Sequence, residues 1–287
     1  MAGTVIKRVG ILGSGIMGAG LAEVAAKAGC EVIVRSRHRA TADALLAGLG
    51  RSLDRQVEKG KLDDRTRAEI LGRVVATDHL RSLVECDLVI ESVVEDLPIK
   101  KALFAELEQV VQPDAIFATN TSTFPVVELA VQTERPDRVC GLHFFNPAPL
   151  MRLVEIVRPL TASDDTVDAL RAFALSCDKE PVVVADRAGF VVNALLFPYL
   201  NNAVRMLENG TASMEDIDTA MQGGCNFPMG PFALLDLVGL DTSMSILDAL
   251  YDEFRDPNYA AVPLLRRMVA AGRLGRKTGQ GFYSYTR

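Results

Sequence analysis

The chain has 287 residues, 49% hydrophobic and 24% charged, which is enough to bury a sizeable core in one large or two ordinary domains of roughly 100–200 residues each. A formal net charge of −6 without a long basic run argues against nucleic acid as the main partner, and no apolar stretch approaches a membrane span. The five cysteines stand far apart with no C-x-x-C pair, which argues against a disulfide framework or a metal site; with no signal-peptide pattern at the start, a cytoplasmic location is expected.

In chain order, an apolar run at 9–12 reads as a first strand. It ends in Gly13-x-Gly15-x-x-Gly18, and a small-residue helical pattern follows over 16–28. Gly13 permits a tight turn, Gly15 lets the backbone approach a pyrophosphate, and Gly18 lets helix and strand pack closely. Backbone N–H groups at the helix start, around Ile16 and Met17, then face an anion. Strand, turn and helix in this order are the context a dinucleotide-binding fingerprint needs; the alternative is a glycine turn with no ligand.

A second strand at 32–34 runs into Arg35-Ser36-Arg37-His38-Arg39. Ser36 stands where a dinucleotide site often carries an acidic residue for the adenosine ribose. A carboxylate there would repel a 2′-phosphate, whereas a serine hydroxyl flanked by Arg35 and Arg37 would bind it, so NADP(H) is favoured over NAD(H). The alternative is a solvated basic loop beside plain NAD.

Helices follow at 40–59 and 63–71, strands at 74–76 and 87–91, and a helix at 98–111 with Pro98 near its first turn, where the missing N–H costs nothing. Strands at 115–118 and 139–144 complete the βαβ rhythm of a parallel, doubly wound α/β sheet of Rossmann type. Strands at 153–157 and 182–184 extend the sheet and flank a helix at 164–177. After Asp186 only helices and loops are expected, with helices at 189–208, 213–223, 230–254 and 262–271. This divides the chain into a dinucleotide-binding domain at 1–186 and an all-helical domain at 187–287.

Of the three histidines, His38 and His79 lie in polar contexts and read as surface residues. His143 ends an apolar strand before a proline-rich loop, and strand carboxyl ends are where open α/β sheets bind ligands. Taken alone it is as readily a structural residue as a base. Glu155, inside the apolar run 153–157, is costly unless paired, and an imidazolium would relieve that cost and be oriented by it. Ser122 lies in the polar turn 119–123, for which plain turn chemistry is the alternative. Asn193, a lone amide in an apolar segment, faces either a site or a helix end.

Gly13-x-Gly15-x-x-Gly18, Val94-Glu-Asp96, Asn120-Thr-Ser122, Gly141-Leu-His-Phe-Phe-Asn-Pro147, Leu153-Val-Glu-Ile156, Gly189-Phe-Val-Val-Asn193, Pro228-Met-Gly-Pro231 and Lys277-Thr-Gly-x-Gly-Phe-Tyr283 together make a specific set. On these marks the chain resembles, over essentially its full length, the L-3-hydroxyacyl-CoA dehydrogenase family of the short 3-hydroxybutyryl-CoA type. The resemblance implies a catalytic set of Ser122, His143, Glu155 and Asn193, with His143 as general base, Glu155 orienting it, Ser122 bonding the reacting oxygen and Asn193 positioning the substrate at a cleft between domains. It implies nicotinamide-side contacts near Glu95, Lys100, Asn120 and Asn146, and contacts to the CoA portion at Ser52 and Lys59. It also implies a homodimer formed through the C-terminal domain. Ser36 departs from the acidic residue of many relatives. A carrier-protein thioester, a free hydroxy acid, and a non-catalytic nucleotide-binding protein on the same fold stay open beside an acyl-CoA substrate.

Overall fold

In the computed structural model, which describes residues 5–285, the chain divides into two compact units, Met1–Asp186 and Arg187–Arg287. The first is built on an eight-stranded sheet in the order β3-β2-β1-β4-β5-β6-β7-β8. Its elements run β1 (Arg8–Leu12), α1 (Ile16–Lys27), β2 (Glu31–Arg35), α2 (Arg39–Glu58), α3 (Asp64–Gly72), β3 (Val74–Thr77), β4 (Leu88–Glu91), α4 (Leu97–Glu108), β5 (Ile116–Thr119), α5 (Val127–Ala130), β6 (Val139–Phe144), β7 (Leu153–Arg158), α6 (Asp164–Ser176) and β8 (Glu180–Ala185).

Local chemistry sets these boundaries. A Cβ on Gly18 would overlap the Gly13 carbonyl oxygen, so α1 can pass this close to the turn only with glycine there. Asp63, Asp96 and Ser163 accept backbone N–H bonds from Thr66, Ile99 and Thr166, capping α3, α4 and α6. Small and branched residues of α1 (Leu21, Ala22, Val24, Ala25) pack in one core with Val9, Ile11, Val32, Val34, Ile90, Ala118, Leu142 and Ile156.

The expectation of a parallel sheet holds for β1 to β6 and for the β7–β8 pair, but β6 and β7 pair antiparallel. Residues 145–152 join them without a helix, and a parallel crossover needs roughly a dozen residues or more, so the chain must turn back. The short helix α5 has no forerunner in the sequence reading. Its start is held by Asp186, whose two carboxylate oxygens accept the Val126 and Val127 N–H groups at 2.8 Å each, a contact made from 59 and 60 residues away.

The second unit contains α7 (Val192–Glu208), α8 (Met214–Cys225), α9 (Pro231–Val238), α10 (Leu240–Phe254) and α11 (Pro263–Ala270). The single helix expected over 230–254 is two helices, because Gly239 adopts φ +103° and breaks the ladder between α9 and α10. The helix expected from 189 begins at Val192, after left-handed residues at Gly189 and Phe190. Beyond α11 the chain forms a bridged strap, with Gly275 paired to Gln280 and Gln280 to Ser284.

Two buried aspartates organise this unit. Asp236 accepts the Phe282 and Tyr283 N–H groups (2.9 and 2.8 Å) and the Tyr285 hydroxyl (3.1 Å). Asp218 accepts the Phe232 and Ala233 N–H groups (2.8 and 3.2 Å) and the Tyr283 hydroxyl (2.9 Å). Burial and the Asp218 carboxylate both push the Tyr283 phenol up from its ordinary value. Thus the motifs at 228–231 and 277–283 meet through carboxylates, and their work here is architectural.

Candidate active site

His143 lies at the carboxyl end of β6, 4% exposed, and in the antiparallel register it stands directly opposite Glu155, which is fully buried. Residues opposite one another share a face of the sheet. The reversal of β7 is therefore what joins them: His143 Nδ1 and Glu155 Oε2 are 2.8 Å apart. An ionised carboxylate can only accept, so Nδ1 carries the proton and Nε2 is left as an acceptor. Ser122 Oγ sits 3.2 Å from that Nε2. The Phe145 ring covers one side of the imidazole, with centroids 4.5 Å apart.

Ser122 is held from behind. Glu95 Oε1 accepts the Ser122 N–H (3.0 Å) and the hydroxyls of Thr121 (2.5 Å) and Thr123 (3.1 Å). Burial alone raises the Glu95 pKa, but the Lys100 charge and the bonds from Thr121 and Ser122 outweigh it and hold the group below the ordinary carboxylate range. Lys100 is 1% exposed, with its ammonium 3.1 Å from Glu95 and 2.7 Å from Glu91. Asn120 Oδ1 accepts the Phe144 N–H at 2.8 Å, tying the ends of β5 and β6, while Asn146 is exposed on the loop beyond. Lys179 anchors that loop, donating to the carbonyls of Ala148 (2.7 Å) and Met151 (2.9 Å). Burial lowers its pKa, against a smaller opposing pull from Asp178.

The glycine turn fits a dinucleotide phosphate. Gly13 has φ +112°, and a Cβ there would overlap the Ser92 carbonyl. Gly15, the residue before α1, has open space where its Cβ would be, and no side chain caps the α1 N-terminus. Ile16 is 79% exposed beside it and Met17 packs on the core. At the end of β2, Ser36 is 7% exposed, and its hydroxyl lies between those of Ser14 (2.8 Å) and Thr41 (2.5 Å). Arg37 is exposed, and Arg35 Nε is buried with no hydrogen-bond partner.

Ser52 and Lys59 lie on and just after α2. Lys59 is exposed, but the Ser52 hydroxyl donates to Glu23 Oε2 at 3.0 Å. Glu23, 4% exposed, also accepts from Lys27 (2.7 Å) and Gln56 (2.9 Å). Asn193 is buried in the first turn of α7, in the helical unit. Glu91, Thr119, Thr121 and Lys179 were not singled out from the sequence. A carboxylate ending an apolar strand was the available signal for Glu91; the other three carry none.

Two family models match the chain. One describes the NAD binding domain of 3-hydroxyacyl-CoA dehydrogenase and covers residues 8–187, and the other describes the C-terminal domain of the same enzymes and covers 189–285. The chain is 49% identical to a 3-hydroxybutyryl-CoA dehydrogenase of Mycobacterium tuberculosis over 98% of this chain and 99% of that one. It is 42% identical to a mitochondrial hydroxyacyl-coenzyme A dehydrogenase of Sus scrofa, over 98% and 91% respectively. The crystal structure of (S)-3-hydroxybutyryl-CoA dehydrogenase PaaH1 from Ralstonia eutropha superposes with a TM-score of 0.96 at 42% identity, covering 98% of this chain and all of that one, 100%.

Proposed function

The chain belongs to the 3-hydroxyacyl-CoA dehydrogenase family, and from that premise we propose that it interconverts (S)-3-hydroxybutyryl-CoA and acetoacetyl-CoA with a nicotinamide cofactor. The observation that carries this reading is the relay Ser122 Oγ–His143 Nε2, His143 Nδ1–Glu155 at the carboxyl ends of β5 and β6. A bound nicotinamide supplies the hydride acceptor in one direction and the donor in the other. The glycine turn and the free N–H groups of α1 would hold its pyrophosphate. Glu95, Asn120 and Asn146, with Lys100 behind Glu95, would meet its nicotinamide side.

The protein's part is proton transfer and orientation. In oxidation His143 Nε2 takes the proton of the 3-hydroxyl, and Glu155 stabilises the imidazolium that results. In reduction Nε2 returns that proton to the C3 oxygen. Ser122 Oγ hydrogen-bonds the same oxygen and fixes its direction. Asn193 positions the acyl thioester, and Ser52 and Lys59 contact the CoA portion. Ser52 Oγ can accept from CoA while its own O–H donates to Glu23.

NADP(H) is the favoured cofactor. No carboxylate stands at Ser36 to repel a 2′-phosphate, Arg37 is exposed beside it, and the unpartnered Arg35 Nε is a donor waiting for an anion. The molecule is a homodimer through its helical unit, a reading supported by Leu195 and Leu237, which are 72% and 50% exposed. A reducing, cytoplasmic setting suits the free cysteines, of which Cys30, Cys86, Cys140 and Cys177 are buried. Among the described residues no helix is long and apolar enough to cross a membrane.

Initial rates of acetoacetyl-CoA reduction with NADPH and NADH side by side test the proposal. Faster oxidation of NADPH is expected. Preference for NADH would keep the enzyme and remove the phosphate-site reading, and no rate with either would remove the substrate.

A further inference from the structure

Ser122 sits on a turn rather than a strand, and the contacts that place it lead back to one buried carboxylate. Glu91 ends β4 with no exposed surface, and both of its oxygens are filled. Oε1 accepts from Lys100 Nζ and from the Val93 N–H, each at 2.7 Å. Oε2 accepts from Lys100 Nζ at 2.9 Å and from Thr119 Oγ1 at 2.7 Å.

Two routes then run from Glu91 to the 121–123 turn. Through β5, Thr119 Oγ1 accepts the Thr121 N–H at 3.2 Å. Through α4, Lys100 lies 3.1 Å from Glu95, whose other oxygen holds the Thr121 hydroxyl, the Ser122 N–H and the Thr123 hydroxyl. Lys100 is as buried as Glu91, and removing one partner of a buried pair leaves the other charge strongly destabilised. With Glu91 neutral, Lys100 would have Glu95 as its one counter-charge, and Glu95 is the group that holds the Ser122 backbone.

We propose that Glu91 is a positioning residue for the reaction: through Thr119 and through Lys100–Glu95 it sets the Ser122 hydroxyl against His143 Nε2 without touching the substrate itself. The inference rests on the reading that Ser122 binds the reacting oxygen. It separates two kinds of carboxylate at this end of the sheet. Glu155 acts on the proton-transfer group, and Glu91 acts on the group that directs the oxygen.

A double-mutant cycle in the full-length chain tests this. Glu91→Gln should lower kcat for acetoacetyl-CoA reduction about 10- to 100-fold, the range for misplacing a group by an ångström or less. In a Ser122→Ala background the same change should cost less than about twofold, because coupled residues are not additive. Full additivity where Ser122→Ala is itself costly overturns the inference, since a merely structural or cofactor-side role would act independently of the Ser122 hydroxyl. An unchanged kcat in folded Glu91→Gln does the same.

If Glu91→Gln fails to fold, Thr119→Val carries the test, because it removes one link and no charge. A fall in kcat of about 3- to 10-fold, absorbed in the Ser122→Ala background, supports the inference, and an unchanged kcat or full additivity overturns it. Ser122→Ala alone with undiminished kcat removes the role of Ser122 and the inference with it. Only the single variant reads that outcome, so the two failures are told apart.

Discussion

At the carboxyl end of the sheet Glu155 meets an imidazole, whereas in the helical unit Asp218 and Asp236 meet backbone amides and tyrosine hydroxyls. All three carboxylates are buried. The aspartates have partners that keep their protons at any ordinary pH, so they behave as fixed fasteners for the 228–231 and 277–283 segments. Glu155 has a partner that can gain and lose a proton, and that partner's second nitrogen faces the Ser122 hydroxyl. A buried carboxylate is thus chemical or architectural according to what it holds, and its burial alone does not separate the two.

The largest test of that contrast is His143→Ala. It should lower kcat about 1,000-fold, within the range for losing a general acid–base group, while cofactor affinity by fluorescence titration changes less than about twofold. Equal losses in both would argue that His143 is structural, like the aspartates' partners. Glu155→Gln keeps the shape and removes the counter-charge, and a kcat lowered about 10- to 100-fold with little change in thermal midpoint is expected.

Asp236→Asn sharpens the other side. An amide cannot accept from both Phe282 and Tyr283 without turning its NH2 against a donor, so stability should fall by about 1–3 kcal/mol in urea denaturation. kcat per folded molecule should stay unchanged, and a loss of turnover at full stability would blur the distinction.

The smallest effect concerns Glu23. Burial alone pushes this carboxyl up, but hydrogen bonds from Lys27, Gln56 and Ser52 and the Lys27 charge outweigh it and hold it below the ordinary range. A depressed folded value means the group binds its proton more readily when unfolded. Its stabilisation is therefore present above the unfolded value of about 4.3 and is lost as pH falls through the lower folded value. Glu23→Gln should flatten the acid limb of the urea midpoint against pH below about pH 5, and an unaltered limb would show that the carboxylate contributes nothing there.

How far the site could be read in advance depended on the kind of signal each residue leaves. The His143–Glu155 pair was legible because a carboxylate in an apolar strand needs a partner. The same signal at Glu91 is weaker, since a strand's last residue is ordinarily free to reach solvent. Lys179 satisfies its ammonium on the carbonyls of Ala148 and Met151, and its acidic neighbours Asp178 and Glu180 in the chain give no hint of those partners. Ser52 and Lys100 carry the residue types that suit a ligand contact, yet their polar groups are bound to Glu23 and to Glu91 and Glu95. Composition and spacing do not reveal such prior engagements.

By itself the sequence determined what depends on neighbours along the chain: the glycine turn between β1 and α1, the capped helix starts, the alternation of strands and helices, and the change to helices after Asp186. Tertiary structure decided what depends on partners far apart. It reversed β7 so that His143 faces Glu155, bound Asp186 to the start of α5, split α9 from α10 at Gly239, and closed the Glu91–Lys100–Glu95 network beneath Ser122. The reason is physical: turns, caps and periodicity are satisfied within a few residues, whereas a buried charge takes whatever partner the packed chain brings to it.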